Sequence, residues 1–246
     1  MSHNKIEIKE GAYIISDAHY SSKRPELYLL IKDIHSQKIF PTQLLLFGDI
    51  FDALFGNVPR TCENNQEMIS MINDISQRIE VIYLEGNHDF NLKKIFPYTQ
   101  VFSIKEQPIQ AMYKDKNVLL AHGDFGEDMG YQIYTSLIRN KFVLIIFNAI
   151  NTLLGNVILN KLDLYLSKKD DCNEFTGFRK YISKRLENKY TCDYFIEGHF
   201  HQNKIINFDN CCYINLAAFA CNQRYFIVES SNDKKILQEY GFHKET

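Results

Sequence analysis

Tryptophan is absent from this chain of 246 residues, and proline and glycine are scarce, with five and eleven residues. That scarcity excludes collagen-like and Pro/Gly-rich disordered sequences. We also find no internal repeat, low-complexity tract or proline-rich linker. The hydrophobic content of 45% supplies enough apolar side chains for a substantial core at this length. The chain is therefore expected to be globular.

An excess of charge of either sign is missing as well. The formal net charge is −2 and the pI is about 6.4, so no overall basic field attracts nucleic acid, and we expect no nucleic-acid partner. The first twenty residues lack the long apolar stretch of a secretory signal. The longest apolar window, Phe142 to Leu154, is too short and too polar to span a membrane. We therefore expect a cytoplasmic protein with no obligate protein partner.

No CxxC pair occurs among the six cysteines. In a cytoplasmic protein, separated cysteines are typically reduced and behave as small apolar residues. We therefore expect neither a disulfide nor a cysteine metal site at Cys62, Cys172, Cys192, Cys211, Cys212 and Cys221.

The first half of the chain alternates short apolar runs with helical patterns, which is typical of an α/β fold. Helical spacing of apolar residues predicts helices at Glu26–His35 and Asn64–Arg78. Strands are predicted at Tyr13–Ser16, Leu44–Phe47, Val81–Leu84, Val118–Ala121, Tyr194–Glu197, Tyr213–Leu216 and Tyr225–Glu229. We expect the strands of the last third to complete a second sheet, and residues 130–190 to form an inserted helical cap.

Polar clusters follow five of these predicted strands. In such sheets, chemistry gathers at the carboxyl ends of the strands. Carboxylate, imidazole and amide ligands suit Mn, Fe or Zn better than Ca or Mg. Each cluster alone is weak evidence, but all five in order are a rare coincidence. They are Asp17-Ala-His19, Gly48-Asp49-Ile-Phe-Asp52, Gly86-Asn87-His88-Asp89, His122-Gly-Asp124 and Gly198-His199-Phe-His201.

The ordered clusters resemble the pattern of the calcineurin-like metallophosphoesterase superfamily. The resemblance implies an α/β four-layer sandwich, two mixed β-sheets flanked by helices, as a single domain over residues 1–246 with the helical cap insertion at 130–190. It also implies two divalent metal ions, Mn first, with Fe or Zn as alternatives. One ion would be held by Asp17, His19, Asp49 and His201, and the other by Asp49, Asn87, His122 and His199.

Catalysis in this superfamily needs no protein nucleophile, because two cations can activate water and neutralise phosphoryl oxygens. The resemblance assigns the catalytic roles to His88, which can reach the phosphoryl or leaving-group oxygen, and to Asp52, which would orient the imidazole. Asp89 and Asp124 are expected to fix loops rather than to react.

The block Gly48 to Leu54 has Ala53 where many branches of the superfamily have arginine. It is similar instead to the bacterial UDP-2,3-diacylglucosamine pyrophosphatases of lipid A biosynthesis. That resemblance implies hydrolysis of a lipid-linked nucleotide sugar to UMP and 2,3-diacylglucosamine 1-phosphate, at the cytoplasmic face of the inner membrane. Substrate contacts are expected from Asn87, His88, Tyr131, Ser167, Lys168, Lys169 and Arg179.

The insert is rich in apolar residues, which admits two interpretations. They could line a chamber for acyl chains or enter a membrane interface, or they could be the cap's own core. The residues concerned are Leu137, Ile138, Phe142, Val143, Ile145, Ile146, Phe147, Ile150, Leu153 and Leu154.

His88 departs from the lipid-enzyme pattern, which has arginine at this position. A histidine also suits alkoxide leaving groups, so another small-molecule phosphomonoesterase or phosphodiesterase remains an alternative. A non-catalytic scaffold is the remote alternative, because such a protein should have lost metal ligands.

Overall fold

The computed structural model describes residues 5–126, 129–169, 172–186, 189–229 and 236–242. Its strands are β1 (Ile6–Glu7), β2 (Tyr13–Ile15), β3 (Gln43–Leu46), β4 (Leu54–Phe55), β5 (Glu80–Leu84), β6 (Asp89–Phe90), β7 (Gln100–Phe102), β8 (Ile109–Tyr113), β9 (Lys116–Ala121), β10 (Tyr194–Glu197), β11 (Lys204–Phe208), β12 (Cys211–Asn215), β13 (Arg224–Val228) and β14 (Leu237–Gly241). Its α-helices are α1 (Glu26–His35), α2 (Pro59–Asn64), α3 (Gln66–Ser76), α4 (Met129–Ile138), α5 (Lys141–Leu153), α6 (Val157–Leu166), α7 (Phe178–Leu186) and α8 (Phe219–Asn222).

Two six-stranded mixed sheets form the centre. The first has the order β1-β8-β9-β10-β12-β11, and the second has the order β14-β13-β2-β3-β5-β7. In the first sheet, β10 runs parallel to both β9 and β12. In the second, β2, β3, β5 and β7 are parallel, whereas β13 and β14 are antiparallel additions at one edge.

The alternation of side chains along the strands produces four layers. Ile14 packs in the core between the two sheets, and the next residue, Ile15, packs outward against α1 and α3. On the opposite outer face, Phe195 packs against α7. The predicted α/β sandwich of two mixed sheets flanked by helices is confirmed.

Between the two halves of the first sheet, the chain forms helices α4 to α7. Leu144 and Leu159 pack on Val58 and Phe90, which joins α5 and α6 to the short β4–β6 pair. Residues 170–171 and 187–188 of the predicted insert lie outside the described residues. Within the described part, no single helix has the length and hydropathy of a membrane span; α4 and α5 meet those criteria only as a pair, across a 60° bend.

The strands of the last third contribute to both sheets: β10 to β12 join β9, while β13 and β14 extend the sheet that contains β2. One expectation from the sequence was wrong. The cysteines are not all reduced, because Cys172 and Cys221 form a disulfide. Sequence spacing could not reveal this pair, since the two cysteines are 49 positions apart.

Candidate metal centre

The five polar clusters converge because they follow parallel strands. Asp17 and His19 follow β2, Asp49 follows β3, and Asn87 and His88 follow β5, three neighbours of one sheet. In the other sheet, His122 follows β9, and His199 and His201 follow its neighbour β10. The carboxyl ends of parallel neighbours lie at one sheet edge. The two edges face each other across the centre.

Five of the seven candidate ligands have an unusual backbone conformation. Asp17, His19, Asp49, His199 and His201 all have positive φ, between 45° and 63°. A residue with a Cβ rarely adopts this conformation, which costs about 1–3 kcal/mol per residue and persists where the surroundings impose it. Such residues cluster at functional sites, and five of the eleven non-glycine residues with positive φ in the described part of the chain are predicted ligands.

The first group joins Asp17, His19 and His201, whose ligand atoms lie within 4.8 Å of one another. The His201 Nε2 is 3.1 Å from the Asp17 Oδ1. Burial alone would raise the pKa of Asp17, but the adjacent His201 stabilises the carboxylate and lowers that pKa to about 2. Asp17 is therefore an anion at neutral pH, as a metal ligand must be.

The second group joins Asp49, His122 and His199. The His122 Nδ1 is 2.7 Å from the Phe47 carbonyl oxygen, and a carbonyl can only accept, so this nitrogen carries the proton. Burial would lower the pKa of His122, but the adjacent Asp49 carboxylate raises it well above the ordinary value. The other ring nitrogen, Nε2, lies 3.5 Å from the Asp49 Oδ2, and its lone pair becomes available to a metal ion when its proton is released. Burial and the neighbouring His122 lower the pKa of His199 to about 3, which keeps His199 neutral.

The donor atoms fit a pair of divalent cations. Buried atoms without a hydrogen-bond partner include both ring nitrogens of His19, the Nε2 of His122 and the Oδ1 of Asn87. Buried polar atoms are normally satisfied, so unpartnered donor atoms gathered in one cluster are suited to binding an electrophile such as a metal ion. The set of carboxylate, imidazole and amide donors suits borderline metals. Asp49 lies in the second group, and the bridging role that the resemblance implies remains a prediction.

His88 and Asp52 lie together as predicted, but their contact differs from the expected one. The His88 Nδ1 is 2.9 Å from the main-chain carbonyl oxygen of Asp52 and 4.0 Å from its carboxylate. That carboxylate is closer to the His19 Nδ1, at 3.4 Å. The carbonyl therefore orients His88, and Nε2 is the ring nitrogen that faces other partners. Sequence alone could not distinguish a main-chain partner from the carboxylate.

Asp89 fixes the metal-ligand loops through its carboxylate. It accepts hydrogen bonds from the main-chain N–H of Asp49, at 3.0 Å, of Ile50, at 2.6 Å, and of Gly86, at 3.0 Å. A side chain at Gly86 would overlap the Asp49 carboxylate. The expected loop-fixing role of Asp89 thus has a geometric basis, and glycine at position 86 permits the close approach.

A cavity of about 340 Å³ lies beside the cluster, lined by Asp52 and by Ser167 at the end of α6. The Lys23 Nζ donates to the Ser167 Oγ at 2.9 Å, and Arg24 donates to the main-chain carbonyl of Lys169. Lys23 was not singled out from the sequence, although its position just after the first polar cluster was a usable signal.

The remaining predicted substrate contacts lie elsewhere. Lys168 is exposed to solvent. Tyr131 lines a separate cavity with Asp124 and Arg139, in which Arg139 donates to the Asp124 carboxylate at 2.9 Å. Arg179 lines a third cavity, on the outer face of the first sheet. The structure therefore brings Ser167 to the cluster but does not bring Arg179 there.

The insert carries an apolar surface, which we define as the exposed apolar residues of α4 to α6 and their connections. Phe142 is 75% exposed and Leu153 is 87% exposed. Ile138 and Phe147, by contrast, pack partly on the body. Eight of the ten apolar residues considered in the sequence are exposed, so the interpretation as the cap's own core is wrong for them. These are Leu137, Phe142, Val143, Ile145, Ile146, Ile150, Leu153 and Leu154.

Comparison with known proteins places the chain in a family. The chain is 25% identical over 203 residues to the UDP-2,3-diacylglucosamine hydrolase of Haemophilus influenzae, covering 79% of this chain and 84% of that protein. The protein of the same name from Neisseria meningitidis serogroup B is 25% identical over 206 residues, covering 79% and 83%. A solved phosphoesterase from E. coli aligns with a TM-score of 0.47 at 12% identity, covering 94% of this chain and 99% of that one.

The family model described as calcineurin-like phosphoesterase matches residues 12–203. This range contains all seven candidate metal ligands together with His88 and Asp52. It also ends two residues after the last polar cluster, Gly198 to His201. The chain therefore belongs to the calcineurin-like phosphoesterase family and is a metal-dependent phosphoesterase.

Proposed function

We propose that this chain hydrolyses the pyrophosphate of UDP-2,3-diacylglucosamine to UMP and 2,3-diacylglucosamine 1-phosphate, a step of lipid A biosynthesis. The observation that carries the proposal is a single cavity lined by Asp52, beside the metal-ligand cluster, and by Leu159 and Ser167 of the apolar insert. Its relatives named UDP-2,3-diacylglucosamine hydrolase support the same substrate.

The cavity is suited to the polar part of such a substrate. Lys23 supplies a positive charge for a phosphate, and Ser21 has a buried hydroxyl without a hydrogen-bond partner. A volume of about 340 Å³ is at the lower end for a drug-sized ligand. Two acyl chains cannot share that space, so they would lie on the apolar surface outside it.

The apolar surface also suggests a location. Exposed apolar patches of this kind mark interaction or membrane sites, and an amphipathic helix can bury its apolar side at a lipid interface. We place the protein at the cytoplasmic face of the inner membrane, where α4 to α6 would receive the acyl chains directly from the bilayer.

The chemistry follows from the two groups of ligands. Two divalent cations held there, Mn in our assignment, would supply Lewis-acid activation of water and of the phosphoryl oxygens. The chain's own groups position the substrate. The Asp52 carbonyl holds Nδ1 of His88, so the opposite nitrogen, Nε2, can donate to a phosphoryl oxygen when the ring is protonated. Asn87, the residue before His88, would contact the substrate beside it.

A phosphomonoesterase or phosphodiesterase acting on a soluble substrate is the second candidate. The observation in its favour is His88 itself, because an imidazolium can protonate an alkoxide leaving group. A scaffold without activity is disfavoured, since all seven ligand positions are filled and their side chains converge.

Product analysis tests the proposal. The Mn-loaded protein is incubated with UDP-2,3-diacylglucosamine in mixed micelles, and the products are identified by mass spectrometry. We expect UMP and 2,3-diacylglucosamine 1-phosphate in equal amounts, and neither product after chelation with EDTA. Intact substrate in the presence of Mn, with hydrolysis of simple phosphodiesters retained, would contradict the lipid assignment and leave the second candidate.

A further inference from the structure

Helix α7 carries a charged residue on its buried side. Phe178, Ile182 and Leu186 are buried, and Arg185 shares that side of the helix. Only 7% of the Arg185 side chain is exposed. Burial opposes a charged guanidinium, but Glu197 stabilises it and raises the pKa of Arg185 above its ordinary value. A buried charge is expensive unless it is paired, so the contacts of Arg185 need an explanation.

The two terminal nitrogens of Arg185 bind different partners. Nη1 donates to the Glu197 Oε1 at 2.6 Å, and Nη2 donates to the main-chain carbonyl of Gly123 at 2.8 Å. The guanidinium also lies against two aromatic rings, 4.4 Å from the ring centre of Phe125 and 5.3 Å from that of Phe200. Both terminal nitrogens of the guanidinium are thus hydrogen-bonded, and the group packs against two rings.

These partners belong to the two loops that carry His122 and His199. Gly123 directly follows His122, and Glu197 stands two residues before His199. The two loops also touch each other, since the Gly198 N–H donates to the His122 carbonyl at 2.8 Å. The Tyr213 hydroxyl donates to the same Glu197 Oε1 at 2.6 Å, which fixes the carboxylate from the neighbouring strand.

We propose that Arg185 is a positioning residue for the second metal site: it clamps the His122 loop to the His199 loop and so sets the separation of these two ligands. The proposal rests on the metal-dependent function proposed above but not on the identity of the substrate. Groups that orient metal ligands commonly change metal affinity by about 10- to 100-fold when they are removed.

An ion pair with Glu197 alone would explain the burial but not the geometry. A lysine at position 185 could still pair with Glu197, because a single ammonium group is sufficient for that contact. A lysine cannot donate through two arms of a rigid fork to Glu197 and Gly123 at the same time. Arg185→Lys therefore separates simple charge pairing from clamping of the two loops.

The experiment measures Mn²⁺ binding to four forms of the protein by calorimetry, with low-temperature EPR at two equivalents of Mn²⁺. The forms are the wild type, Arg185→Lys, the double variant Arg185→Met with Glu197→Gln, and Lys184→Ala. The double variant removes both buried charges, so it keeps the test valid if Arg185→Lys does not fold. Lys184 is the exposed neighbour on the same helix and serves as the matched control.

We expect the wild type and Lys184→Ala to bind two ions and to give the spin-coupled EPR signal of a metal pair. Arg185→Lys and the double variant should bind the first ion as the wild type does and the second about 10- to 100-fold more weakly, with an uncoupled six-line signal. Wild-type affinity for both ions in either Arg185 variant would overturn the proposal, as would an equal loss at both sites. A wild type that binds fewer than two ions would instead contradict the metal centre itself.

Discussion

At the scale of single residues, the candidate centre depends on ligands held in a costly backbone conformation. Asp49 is held by hydrogen bonds on both its side chain and its main chain. Its carboxylate accepts the His88 N–H at 2.8 Å, and its own N–H donates to Asp89. Burial alone would raise the pKa of Asp49, yet the nearby His122 and His88 lower it well below the ordinary value. Asp49 is therefore an anion at neutral pH, in the second group of ligands.

We predict that Asp49→Ala abolishes phosphoesterase activity and lowers the content of both metals, because this carboxylate is assigned as the bridge. His19→Ala should mainly weaken the first site, since His19 lies with Asp17 and His201. Metal content per chain, measured by mass spectrometry after dialysis, checks both variants. Two tightly bound ions in Asp49→Ala would show that the ligand assignment is wrong.

His88 separates the two candidate reactions. In hydrolysis of the lipid pyrophosphate, the leaving phosphate needs little protonation, so His88 would act by binding a phosphoryl oxygen. His88→Arg should then keep substantial kcat/KM on UDP-2,3-diacylglucosamine, whereas His88→Ala should lose much of it. With an alcohol as leaving group, proton donation contributes about 10²- to 10⁴-fold, and arginine cannot supply the proton near neutral pH. An arginine variant as inactive as the alanine variant would argue against phosphoryl binding as the role of His88.

At the scale of elements, the insert has an arrangement that a soluble substrate does not require. Helix α5 packs on the body through Leu144 and, in part, Phe147, while Phe142 and Ile146 point to solvent. Exposed apolar side chains contribute little to folding. They are therefore available for lipid, and they can be replaced without loss of the core.

We predict that the triple variant Phe142→Ser, Ile146→Ser and Leu153→Ser lowers binding to anionic lipid vesicles at least about tenfold. Burying each side chain in lipid is worth roughly 1.5–3 kcal/mol. Turnover of UDP-2,3-diacylglucosamine should fall in parallel, while turnover of a small chromogenic phosphodiester stays unchanged. Phe40→Ser is the control, because Phe40 is similarly exposed, at 74%, but lies outside the insert. Equal losses on both substrates would assign the helix a purely structural role.

The disulfide joins the insert to the body. Cys172 follows α6, and Cys221 lies in α8, where the Ala220 N–H donates to the Asp17 carbonyl. A cross-link between residues this far apart lowers the conformational entropy of the unfolded chain, which stabilises the folded state by up to about 4 kcal/mol. We predict that replacing both cysteines with serine lowers the free energy of unfolding of the oxidised protein by up to this amount. Cys62→Ser serves as the control, and urea unfolding under oxidising and reducing conditions is the measurement. Indistinguishable unfolding of the double variant and the oxidised wild type would mean that the cross-link does not form in solution.

At the scale of the whole molecule, most elements whose apolar residues follow a regular period could be predicted from the sequence. Helix α1 and strand β10 occur with the predicted bounds, since their apolar residues follow the period of a single element. The polar clusters could be placed at strand ends, because buried parallel strands are short apolar runs. Strand β11 has exposed residues at alternate positions and was not predicted.

Contacts between distant segments could not be predicted from the sequence. The pairing of Cys172 with Cys221 and the main-chain carbonyl on His88 depend on tertiary geometry. Arg185 and Glu197 left a partial signal: a glutamate ends the apolar run of β10, and an arginine occupies the apolar side of α7. Two opposite charges in buried positions predict an ion pair. They do not predict that Arg185 also donates to the Gly123 carbonyl.

The central claim, that this metal centre acts on a lipid-linked nucleotide sugar, is tested most directly by a comparison of substrates. The kcat/KM of the Mn-loaded protein is measured side by side on UDP-2,3-diacylglucosamine, bis-p-nitrophenyl phosphate and a cyclic nucleotide, with Asp49→Ala as the inactive control. We expect the lipid substrate to be preferred by orders of magnitude, because it alone can use both the cavity beside Asp52 and the apolar surface. A clear preference for either soluble diester would contradict the claim.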